Sequence, residues 1–113
     1  MPLEISYKEV APGTVAVTLV GKLMLGSDGA DIPDMVDGFL RQGKKVVVFD
    51  LSGITTIDST GIGRFIAAFN KIAMAGGEMR MAGATGHLFN SFHVSLLDQV
   101  FPFFDTVDDA ARG

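Results

Sequence analysis

Cysteine is absent from the 113-residue chain. That excludes disulfides, thiolate metal sites and a cysteine nucleophile, and it fits a reducing compartment. Charge is sparse, at 19% of residues, and the formal net charge is −4. A protein that follows a nucleic-acid backbone normally carries a basic face. Lys44 and Lys45 make up the one cationic cluster, so direct nucleic-acid binding is not expected. The apolar runs are short, Val46 to Phe49 among them. A bilayer span needs about 20 such residues, so membrane insertion is not expected either. Met1-Pro2-Leu3-Glu4 has neither the basic region nor the apolar stretch of a secretory signal, and the cytoplasm is the expected location.

Apolar residues make up 48% of the chain, enough for one domain with one core. Leu3, Ile5 and Tyr7 alternate with polar residues, Ala11-Pro12-Gly13 is turn chemistry, and Thr14 to Val20 is β-branched. Together they predict a hairpin closed by Gly21. The period then changes to that of a helix. Ile32, Met35, Val36, Phe39 and Leu40 predict a helix over residues 30–42, with Asp28 or Asp31 as cap, Pro33 in the first turn and Gly43 as stop. Val46 to Phe49 reads as a central strand buried on both faces. A second helix is expected from about Thr60 to Ala75, with Ile62, Phe65, Ile66, Phe69, Ile72 and Ala73 as its core stripe and Gly76-Gly77 as its stop.

Glu78 to Ala82 is a candidate fourth strand, and Leu88, Phe89 and Phe92 mark a short helix. Val100 to Phe104 is a candidate fifth strand, and Thr106 caps a last helix to Arg112. The order ββαβαβαβα predicts an α/β fold with a mixed, mostly parallel sheet of four to five strands and helices packed against it, in one domain over residues 1–113. Met35, Met74, Met79 and Met81 fall in apolar stripes or strands and are expected in the core. Phe89, Phe92, Phe101, Phe103 and Phe104 are read mainly as core, with room for a homodimer or partner surface.

The most informative stretch runs from Asp50 to Gly63, between the central strand and the second helix. Asp58, Ser59 and Thr60 are all credible caps, which puts Ser59 at the positive end of a helix macrodipole. A phosphate there meets N–H donors and brings nearly two negative charges to a surface built from Ile57, Gly61 and Ile62. Gly61 and Gly63 leave room for close approach to the backbone, at up to about 1 kcal/mol each relative to alanine. A serine or aspartate before an apolar helix also serves as a plain cap, so the chemistry permits a phosphate site without identifying one. His87 and His93 have no third ligand at matching spacing, and neither a metal site nor a cofactor fingerprint is expected.

Asp58-Ser59-Thr60-Gly61-Ile62-Gly63, following the apolar strand and Asp50-Leu51-Ser52, resembles the signature of bacterial anti-sigma factor antagonists of the STAS family. The likeness extends to Gly21-Lys22-Leu23, Ala75-Gly76-Gly77-Glu78 and the stretch from Val100 to Ala111. It implies a non-enzymatic module that works by partner switching. The unmodified protein binds an anti-sigma factor that is often a serine kinase, phosphorylation at the position of Ser59 releases it, and a phosphatase resets it. Asp58, Thr60, Gly61, Ile62 and Gly63 would then face the partner, with Gly26 and Ser27 from the facing loop. Gly21-Lys22-Leu23-Met24 departs from the acidic pattern usual there. Some relatives are scaffold or transporter-associated domains, in which the motif caps the helix and binding is constitutive.

Overall fold

The computed structural model describes residues 3–24 and 31–113. The hairpin forms, but Tyr7 is 61% exposed while Leu3 is buried and Ile5 half-buried, and its second strand continues past Gly21 to Leu23. Strand β1 (Glu4–Ala11) pairs antiparallel with β2 (Thr14–Leu23), from Glu4 opposite Val20 to Ala11 opposite Thr14. Gly13 turns the chain at φ +75°, a conformation that L side chains adopt with strain. Its N–H donates to the Glu9 carboxylate at 3.0 Å, and Lys44 pairs with the same carboxylate at 2.8 Å. The Lys44 hydrogen bond and the Gly13 N–H hold the Glu9 carboxyl below the usual carboxylate range.

Helix α1 (Ile32–Arg41) buries Ile32, Val36 and Phe39, with proline in its first turn. Asp31 stands at its N-cap without a side-chain capping bond, and Asp28 lies outside the described residues. Strand β3 (Val46–Ile57) leads to helix α2 (Ser59–Met74), strand β4 (Glu78–Ala82) and helix α3 (Gly86–His93). A short 3-10 turn at Leu97–Gln99, strand β5 (Phe103–Phe104) and helix α4 (Val107–Arg112) complete the fold. The sheet order is β1-β2-β3-β4-β5, antiparallel at the first pair and parallel at the others.

Strand alternation sorts the side chains. Val15, Val17 and Leu19 of β2, Val47, Phe49 and Leu51 of β3, and Met79 and Met81 of β4 join the main core with residues of α1, α2 and α3. Val48 and Ala82 pack on the opposite face with Ala110 of α4. Val47, Val48 and Phe49 are therefore all fully buried, as a central strand covered on both faces requires.

Several expectations are corrected. Strand β3 has 12 residues and runs through the stretch read as following it. Beyond Asp50, which is opposite Ala82, it loses β4 but keeps β2 as far as Leu23 opposite Ile57. A segment paired on one edge can carry exposed Ser52, Thr55 and Thr56, which disguises it in the sequence. Strand β5 shrinks to two residues because the Phe101 N–H donates to the Leu97 carbonyl at 2.8 Å. Val100 is correspondingly exposed. On α2 the buried positions are Gly61, Phe65, Ala68 and Ile72, while Ile66 and Ala73 face solvent. Met74 is 90% exposed, not core. The phenylalanines pack as read, with Phe92 and Phe101 buried and Phe89, Phe103 and Phe104 half-buried.

Candidate functional site

The start of α2 is tied to β2 through the Leu23 carbonyl, where the β2–β3 ladder ends. The Asp58 N–H donates to Leu23 O at 3.3 Å, which fixes where the helix begins. Asp58 is extended (φ −115°, ψ −176°), and its Oδ1 accepts the Gly61 N–H at 2.9 Å. Its own carbonyl accepts the Ile62 N–H at 3.0 Å, so side chain and backbone both cap α2. Of the three candidate caps, Asp58 is the one used.

That assignment changes what Ser59 is free to do. With capping done by Asp58, Ser59 occupies the first helical position, exposed, and its hydroxyl makes no hydrogen bond among the described residues. It stands where the macrodipole favours negative charge, by roughly 0.3–1 kcal/mol at an exposed terminus. Thr60 and Ile62 beside it are half-buried.

The two glycines separate. A Cβ on Gly61 would overlap the Leu23 carbonyl oxygen and lie 2.9 Å from Ile57 Cγ1, so this residue lets the helix start close against β2. A Cβ on Gly63 would meet nothing within 4 Å. Gly63 is exposed, and the fold does not require it to be glycine. Gly26 and Ser27, expected from the facing loop, lie outside the described residues.

No spacing along the chain links His87 to the motif, but the fold brings it beside the strand that leads there. An open cleft of about 310 Å³ is lined by Thr55, Thr56, Ile57, His87, Leu88 and Ser91, directly before Asp58. His93 pairs with Asp98 at 2.8 Å. Ser91 does not complete a triad there, because its hydroxyl donates to the His87 carbonyl at 3.3 Å. Among the described residues no group of three His, Asp or Glu side chains could hold a metal ion, and no helix is long and apolar enough to cross a membrane.

Asp58→Ala is expected to cost about 1 kcal/mol, because the Gly61 N–H loses its acceptor at the helix start. Asp58→Asn, which keeps an acceptor oxygen, is expected to cost a few tenths. Thermal unfolding of the two variants beside wild type checks both values.

The fold and the capped strand–helix junction define a small α/β domain, and comparison gives it a family. A family model of the STAS domain matches residues 7–110, and the chain belongs to that family. The structure is similar to an anti-sigma factor antagonist from Mycobacterium paratuberculosis (TM-score 0.82, 22% identity, covering 97% of this chain and 92% of that one). It is similar to the Bacillus cell fate determinant SpoIIAA in its phosphorylated form (TM-score 0.75, 17% identity, 96% of each chain). It is also similar to a sulfate transporter family protein from Wolinella succinogenes (TM-score 0.74, 19% identity, 91% of this chain and 85% of that one). At these identities the likeness establishes the fold.

Proposed function

We propose that this chain is an anti-sigma factor antagonist that works by partner switching. Unphosphorylated, it binds an anti-sigma factor that is also a serine kinase. Phosphate transferred to the Ser59 hydroxyl releases that partner, and a phosphatase restores the binding form. The observation that carries this reading is the exposed Ser59 hydroxyl on the first turn of α2, relieved of capping by Asp58 and without a hydrogen bond among the described residues. A phosphate there is tolerated by the folded domain and brings nearly two negative charges beside Asp58 into the docking surface. A hundredfold loss of affinity needs only about 2.7 kcal/mol, which charge and desolvation at a partly buried interface can supply.

Retention of proteins from the source-cell lysate on wild type, Ser59→Ala and Ser59→Asp tests the proposal. A kinase-type anti-sigma factor is expected on the first two and not on the third. The likeness to a sulfate transporter family protein favours a second reading, a constitutive scaffold or transporter-associated subunit. Under that reading all three baits retain the same proteins.

A further inference from the structure

Helix α2 packs one face on the core and is flanked on both sides. Lys71 pairs with Asp37 of α1 at 2.8 Å on one side, and Phe69 meets Phe101 at 5.2 Å on the other. Its outermost face is Ser59, Gly63, Ile66, Asn70 and Met74, at i, i+4, i+7, i+11 and i+15, and all five are exposed. The outward face of a surface helix normally carries charge. This one carries none, and it shows Ile66 at 40% and Met74 at 90% exposure. The ridge is roughly 22 Å long at 1.5 Å per residue, and Ser59 heads it.

Charge selects the occupant. The chain holds 13 carboxylates, yet α2 has none after its Asp58 cap. Arg64, half-buried beside Gly63, makes no ion pair or hydrogen bond among the described residues. A second copy of the same helix would bring Arg64 no carboxylate, since α2 has none and Lys71 is already paired with Asp37. An acidic, apolar surface would complement Arg64.

We infer that the outer ridge of α2 is a docking surface for a protein partner presenting an apolar helix face flanked by carboxylates, one of which pairs with Arg64. The inference rests on the partner-binding reading and adds to it the chemistry of the partner. It also gives the phosphate at the head of the ridge a target, since new negative charge opposes an acidic partner directly.

The test uses the full chain with a photo-crosslinking residue at position 66 or 74, position 8 as control, and the protein retained by unphosphorylated bait as probe. Crosslinks are expected at 66 and 74 and not at 8. Arg64→Glu and Ile66→Asp are expected to weaken retention by roughly 30-fold or more, with circular dichroism unchanged. If both variants retain the partner as wild type does, this inference fails, while a loss on Ser59→Asp would leave the switch standing. If both lose the partner but Ser59→Asp keeps it, the ridge stands and the switch fails. A wild-type dimer that Ile66→Asp converts to monomer would show a second copy as the occupant and overturn the inference. A bait that retains nothing overturns both proposals.

Discussion

Alanine at Gly61 is expected to destabilise the protein by about 3 kcal/mol, whereas alanine at Gly63 stabilises it by about 0.5–1 kcal/mol. The two sites are two residues apart on one helix and differ in what a methyl group would meet. At Gly61 it overlaps the Leu23 carbonyl oxygen, and at Gly63 it enters open space. The Leu23 oxygen cannot simply move aside, because it also accepts the Asp58 N–H that sets the start of α2. Relief requires the first turn to lift off β2, which loosens the cap and the docking surface together. Thermal unfolding is expected to fall by more than about 10 °C for Gly61→Ala and to rise slightly for Gly63→Ala. Equal midpoints for the two variants would contradict the packing described here.

The largest loss of stability is expected at Phe65. Its side chain is fully buried, with Phe49 of β3 at 5.2 Å edge-on and Phe92 of α3 at 5.8 Å. One ring thus joins the central strand and two helices. Phe65→Ala removes buried area, opens a cavity and breaks both ring contacts, at a cost of about 3–5 kcal/mol. Set against a total of about 5–15 kcal/mol for a domain, that brings the protein close to unfolding. Phe65→Leu, which keeps most of the volume, is expected to lose less than half as much. Urea denaturation measures both, and a Phe65→Ala cost below about 1.5 kcal/mol would contradict the account.

The order of elements was legible because the period of the apolar pattern changes cleanly, from two in the hairpin to 3.6 in α1. The run from Val46 to Phe49 marked the central strand directly, and burial on both faces holds for Val47, Val48 and Phe49. What stayed hidden were places where tertiary contacts override local pattern. Thr55 and Thr56 look like loop residues, yet they extend β3 because β2 alone pairs with it there. Val100 and Phe101 look like strand, yet Leu96, at φ 61°, and the turn after it claim them. The apolar stripe of α2 was too wide for one face, and only the fold divides it into buried Phe65 and Ile72, half-buried Ile62 and Phe69, and exposed Ile66 and Ala73.

The candidate site divides in the same way. Its location between the central strand and an amphipathic helix was readable from residues alone. Which of Asp58, Ser59 and Thr60 caps α2 was not, because all three side chains can accept an N–H bond. Nor do two glycines at positions 61 and 63 reveal which serves packing, since that depends on the Leu23 carbonyl, 38 positions away from Gly61.

The most direct test of the central claim is to measure the affinity of the retained partner for two forms of the same protein, unphosphorylated and carrying phosphoserine at position 59. Calorimetry is expected to give a hundredfold or greater loss on phosphorylation, about 2.7 kcal/mol, with the fold unchanged by circular dichroism. Equal affinities for the two forms would reduce Ser59 to an ordinary first-turn residue and contradict the switch.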